Sequence, residues 1–183
     1  MMGKTHQAFS GVFWLGTTLA VNQVAQRAGY DAPFHPAVVV AGVFIAPVFS
    51  SGRWLSPDMD HRWAPGPPRG NYNWRYHRGF THRLWFAFML TGLFGILPFS
   101  FLLGAGFPTG FAIAVFVPIN GWWSHLAGDM IYGRILILGT AYGLGWTTGG
   151  LSESGGSLIR DPASKVCAVL AAALVGLHLY LLV

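Results

Sequence analysis

Five apolar stretches, 5–27, 36–54, 80–103, 108–132 and 163–183, take up most of this 183-residue chain. Each is close to the roughly 20 residues that a helix needs to cross about 30 Å of hydrocarbon. A water-soluble fold is excluded by the same pattern, because a globule in water needs a charged shell. Only 9% of the residues are charged, against about 25% in an ordinary soluble domain. Apolar residues reach 53%, which excludes disorder as well. The expected fold is therefore all-α: a polytopic membrane helical bundle of about five transmembrane helices. It forms a single membrane-embedded domain over 1–183, with polar loops at about 55–79 and 133–162.

The stretches differ in character. The first carries Thr17, Thr18, Asn22, Gln23 and Gln26, so one of its faces should point into the bundle rather than at lipid. A signal peptide is the alternative for this segment, but Lys4 stands alone as its charge and no small-x-small cleavage site follows. The 55–79 loop holds Pro57, Pro65, Pro67 and Pro68 and cannot be helical throughout. In the 133–162 loop, Ile135 to Leu144 is apolar but too short to cross, which suggests an interfacial or re-entrant piece. Cys167 is the only cysteine, so neither an intrachain disulfide nor a cysteine zinc site can form.

Charge placement sets the orientation. With five crossings, ten of the 11 basic residues fall on one side and only Arg27 on the other. The basic side is expected to be cytoplasmic, which puts the N-terminus inside and the C-terminus outside an inner (cell) membrane. The net charge of +5 is concentrated in loops, as at an anionic lipid surface. Membrane lipids are thus the expected partners, and nucleic acid is not.

The chemistry-bearing residues gather on that same side. His6 opens the first stretch, and Asp58, Asp60 and His61 close the second. His77 and His82 open the third, and His125 and Asp129 close the fourth. His125 and Asp129 stand four apart, which puts both on one helix face one turn apart, able to share one metal or bridge two. Asp58 and Asp60 would point to opposite sides in extended chain, one binding metal and the other orienting a ligand. All eight are expected to converge in one polar cleft. Imidazole with carboxylate suits zinc first, with manganese and iron as alternatives. His35 and His178 read instead as ordinary hydrogen-bonded or solvated histidines. A competing structural reading pairs the aspartates with the loop arginines.

Four segments resemble, in order, the motifs of the YdjM-type inner-membrane proteins, a family regarded as metal-dependent hydrolases. They are Thr5-His6, Ser56-Pro57-Asp58-Met59-Asp60-His61, His77-Arg78-Gly79-Phe80-Thr81-His82 and Ser124-His125-Leu126-Ala127-Gly128-Asp129. The resemblance covers about 1–135. More distantly, the set is similar to zinc-dependent phospholipases C and single-strand nucleases. That similarity implies His6, Asp58, His77 or His82, His125 and Asp129 as ligands, with Asp129 bridging two ions. Their further His-x-x-x-His-x-x-x-Glu element has no counterpart here, where Glu153 is the only glutamate, so two ions are expected rather than three.

The implied reaction is metal-assisted phosphoester hydrolysis. Arg78 and Arg83 would hold phosphate oxygens, with Arg78 and Asp60 as catalytic residues and Asp60 the candidate base. The head-group depth makes a phospholipid or lipid-linked phosphate the expected substrate. Two other classes compete: a metal-binding transporter or sensor without catalysis, and a structural or partner-binding membrane protein. A transporter would place its ligands near the bilayer midplane, whereas these lie at helix ends.

Overall fold

The computed structural model describes residues 3–51, 55–57, 59, 80–132, 135–137, 140–142 and 162–181. Five long helices dominate them. Helix α1 is Gly3–Arg27 and α2 is Pro36–Ser51. A 3₁₀ turn, Phe80–His82, leads into α3, Leu84–Gly104. A single turn, α4 (Thr109–Ala112), precedes α5, Phe116–Tyr132, and α6 is Pro162–Leu181. The ranges agree with the five apolar stretches.

Local chemistry explains the boundaries. Pro36 stands at the first position of α2, where a missing N–H costs nothing. His35 precedes it, and its Nδ1 accepts the Ala37 N–H at 3.2 Å. Helices α1 and α3 both stop at glycines in the left-handed region, Gly29 (φ 83°) and Gly106 (φ 84°). In each case the next N–H reaches five residues back, Tyr30 to Ala25 O at 2.9 Å and Phe107 to Leu102 O at 3.0 Å. That is the hydrogen-bond pattern of a glycine C-cap.

Helix α3 contains a π-helical stretch, Thr91–Ile96, that the sequence did not announce. Gly92 and Gly95 sit within it, and a Cβ on Gly95 would come within 2.7 Å of the Phe116 ring. A widened turn without side chains lets α5 approach there. In the 133–162 loop, within the piece expected to be interfacial or re-entrant, Ile135–Ile137 (β1) and Thr140–Tyr142 (β2) pair as antiparallel strands, with Ile135 opposite Tyr142. β-Branched and aromatic residues favour extended chain.

The bundle is held by α2 packed on α1 and α5, and by α6 packed on α1. Trp14, Leu15, Val38, Val39, Ala46 and Val117 form one core. Trp14 donates its indole N–H to Val39 O at 2.8 Å. A smaller core of Phe86, Ala87, Trp122 and Leu126 joins α3 to α5, with Met59 packed on it. Outward faces stay apolar: Phe44, Phe101 and Val169 are 73%, 75% and 70% exposed. In water such a surface would aggregate.

Among the described residues, Leu84–Gly104 is the one helix both long and apolar enough to cross a bilayer. Pro36–Ser51 and Lys165–His178 are apolar but shorter. Helix α1 is long enough but too polar, as its Thr, Asn and Gln residues foretold.

His178 lies in α6 with its Nε2 3.1 Å from Leu15 O and 3.3 Å from Thr18 Oγ1. It is an internal tether, hydrogen-bonded as the sequence suggested. His178→Ala is expected to lower unfolding stability by about 1 kcal/mol and to leave bound metal unchanged, measurable by denaturation and elemental analysis of the same sample.

Candidate metal centre

Four helix ends meet at one end of the bundle. The start of α1 brings His6, the 3₁₀ turn before α3 brings His82, and the last turns of α5 bring His125 and Asp129. The end of α2 brings Ser50. All five residues are buried, the four ionisable ones at 1–3% exposure. Burial of so many ionisable groups is costly unless they are mutually satisfied or hold an ion.

Asp129 is the hub. Its Oδ1 lies 3.3 Å from His6 Nε2, and its Oδ2 lies 3.5 Å from His82 Nε2 and 3.7 Å from His125 Nε2. The two Nε2 atoms of His82 and His125 are 3.2 Å apart. The His6 ring stacks on the His125 ring with centroids 3.9 Å apart and planes 16° apart. His6, His125 and Asp129 each offer a ligand atom within 4.8 Å of the others.

Hydrogen bonds around the cluster set which nitrogen faces inward. The Ser50 carbonyl lies in the last turn of α2, where no intrahelical N–H follows to claim it. His125 Nδ1 lies 2.6 Å from it. A carbonyl only accepts, so Nδ1 carries the proton and the lone pair sits on Nε2, toward Asp129. Ser50 Oγ also donates to His6 O at 3.2 Å, tying α1 to α2. Ser124 Oγ lies 3.2 Å from Ser50 Oγ and donates to Gly121 O at 2.7 Å. On the other side Thr81 Oγ1 lies 3.2 Å from His82 Nδ1. Outer imidazole nitrogens held by protein oxygens are the usual support of metal-ligating histidines.

The spacing fits a metal. Two nitrogens each about 2.0–2.1 Å from a tetrahedral zinc stand about 3.3 Å from one another. The triangle of His82 Nε2, His125 Nε2 and Asp129 Oδ2 has edges of 3.2, 3.5 and 3.7 Å. Asp129 Oδ1 turns the other way, toward His6, as a bridging carboxylate would.

Sequence reasoning thus placed His6, His82, His125 and Asp129 together, and they are together. Asp58, Asp60, His61, His77 and Arg78 lie outside the described residues. Beside them, Ser56 and Pro57 are buried, and Met59 packs near Leu126, next to His125. Arg83 is exposed beside buried His82. The positioning role of Ser50 was missed; a serine closing an apolar helix was its only signal.

A family model described as YdjM inner membrane protein matches residues 1–177, well beyond the motif-bearing part. The chain belongs to that family, which places it in the membrane. No curated protein and no solved structure matches the chain.

Proposed function

We propose that this member of the YdjM inner membrane protein family is a metal-dependent hydrolase of phosphoesters at the cytoplasmic face of the membrane. The observation that carries the reading is the convergence of His6, His82 and His125 on one buried carboxylate from three separate elements. In this reading all five long helices cross the bilayer, with the N-terminus in the cytoplasm and the C-terminus outside. The shorter ones are completed by polar residues that face the bundle rather than lipid. The ten basic residues on the cluster's side support that orientation.

Zinc is the ion best suited to the donor set, with manganese and iron as alternatives. His82, His125 and Asp129 would hold one ion. His6 and Asp129 would contribute to holding a second, with Asp58, Asp60, His61 and His77 as candidates to complete its ligand set. Such ions supply Lewis acidity and a water acidic near neutral pH. Ser50 and Thr81 hold the ligand rings in place, and Asp129 holds the charge balance. Arg83, exposed at the rim, meets phosphate oxygens from solvent, and Arg78 and Asp60 are the further candidates for clamp and base. Membrane depth favours a phospholipid or lipid-linked phosphate.

The test is phosphate or head-group release from phospholipid and lipid-phosphate vesicles, with zinc, manganese or iron added. Turnover should fall at least about 100-fold on chelation. Arg83→Ala should lower kcat/KM by about 10- to 100-fold, the loss of a charge-assisted contact. Protein that carries metal and turns over none of these substrates would instead be a metal-binding protein without catalysis.

A further inference from the structure

The three histidines of the cluster are not supported alike. His125 Nδ1 lies 2.6 Å from the Ser50 carbonyl, and His82 Nδ1 lies 3.2 Å from Thr81 Oγ1. His6 turns its Nε2 to Asp129, and its buried Nδ1 has no hydrogen-bond partner among the described residues. A buried ring nitrogen is rarely left so. The stack on His125 holds the plane of the ring. Nδ1 is the ring nitrogen nearer the α1 backbone, where its neighbours are residues three and four away on the same helix. Of Met2, Gly3, Phe9 and Ser10, only Ser10 has a polar side chain.

Ser10 is the second unpartnered group. It is fully buried, and its Oγ also has no hydrogen-bond partner among the described residues. A hydroxyl inside a helix commonly bonds the carbonyl four residues back. Thr17 and Thr18 of α1 do so, to Phe13 O at 2.7 Å and Trp14 O at 3.1 Å. For Ser10 that carbonyl is His6 O, to which Ser50 Oγ donates instead at 3.2 Å. Two buried polar atoms, one helical turn apart on one face of α1, are thus both left over. An unpaired buried hydroxyl is costly, and alanine would fill nearly the same space without that cost.

We propose that Ser10 positions His6 for metal binding, its Oγ accepting a hydrogen bond from Nδ1–H when the Nε2 lone pair faces the ion. The proposal deepens the metal-centre reading and rests on it. Side chains at this spacing have Cβ atoms about 5–6 Å apart, within reach of a hydroxyl and a ring nitrogen two bonds from its Cβ. A hydroxyl also suits both forms of the ring, because it can donate as well as accept. It donates to Nδ1 while Nε2 carries the proton toward Asp129, and accepts from Nδ1 once Nε2 holds an ion. The Ser50 carbonyl permits only the second arrangement at His125.

The test is zinc titration of the metal-free full chain in detergent, for wild type, Ser10→Ala, His6→Ala and the double variant. Thermal unfolding of each metal-free sample accompanies it. His6→Ala identifies the ion that His6 holds. Ser10→Ala should weaken that ion by about 10- to 100-fold, the cost of losing a ligand's outer partner, and leave any other unchanged. In the double variant Ser10→Ala should add nothing to His6→Ala, because the hydroxyl acts through that ring. Metal-free Ser10→Ala should melt no lower than wild type, since it sheds an unpaired hydroxyl and gains a better helix former. Equal zinc affinity in Ser10→Ala and wild type would overturn the role of Ser10 and leave the metal centre standing. So would a loss of the same size with and without His6, or lower melting with weakening of every ion, which marks a packing residue. A wild type that binds no zinc would overturn both readings.

Discussion

Asp129→Ala is expected to strip the protein of its metal and of any hydrolysis with it. Among the described residues the carboxylate is the one group that reaches all three histidines, Oδ1 toward His6 and Oδ2 toward His82 and His125. Losing it removes a ligand and the negative charge that offsets a dication. Affinity should fall by more than the roughly 10- to 100-fold that loss of a ligand's outer partner costs. His125→Ala should act in the same direction, because it removes a donor nitrogen and also the bond to Ser50 that ties α5 to α2. Elemental analysis after gel filtration reads both variants, with His178→Ala as the variant that keeps its metal. Wild-type metal content in both Asp129→Ala and His125→Ala would refute the ligand assignment.

Gly121→Ala should have the second-largest effect, although the residue touches no ligand atom. Helix α5 crosses α2 there so closely that a Cβ would lie 2.9 Å from Phe49 Cβ and closer still to Ala46 O. Ordinary contact begins at 3.4 Å, and the opposing atoms include backbone, which cannot rotate away. Overpacking of this kind costs about 1–3 kcal/mol. It also acts on the cluster four residues on. Opening the crossing by about 1 Å would stretch the 2.6 Å His125–Ser50 bond to about 3.6 Å, beyond hydrogen-bond reach. His125 then loses the partner that fixes its tautomer, and metal affinity should drop by roughly 10- to 100-fold. Gly16→Ala is the control, since a Cβ there meets nothing within 4 Å. It should leave stability equal or slightly raised, because alanine is the better helix former. Equal melting and equal metal affinity for Gly121→Ala and wild type would contradict this.

The helices were legible because hydropathy over some 20 residues is a strong signal, and α1, α2, α3, α5 and α6 follow the apolar stretches closely. Half of the proposed ligand set was legible for a different reason. His125 and Asp129 share a face by helix periodicity, and His6 and His82 open helices that run the same way, so all four had to reach one end. What the sequence could not show depends on how helices touch. The Ser50 carbonyl is a backbone group, invisible in residue type, and it becomes an acceptor for His125 only because Gly121 admits α2. The π-helical turn at Thr91–Ile96 answers to the Phe116 ring, far along the chain. The pairing of Ile135–Ile137 with Thr140–Tyr142 was not foreseen, because the apolar content of that piece was weighed and its β-branched residues were not.

The most direct test of the metal centre is the metal content of the wild-type protein, purified in mild detergent without chelator and then equilibrated with zinc, manganese or iron and freed of excess. A retained stoichiometry of about one ion per chain, rising toward about two where the second position fills, is the predicted result. The retained ion should be lost on chelation and regained on adding zinc. Less than about a tenth of an ion per chain with every metal offered would contradict it, and would leave His6, His82, His125 and Asp129 as a buried hydrogen-bonded cluster with a structural role.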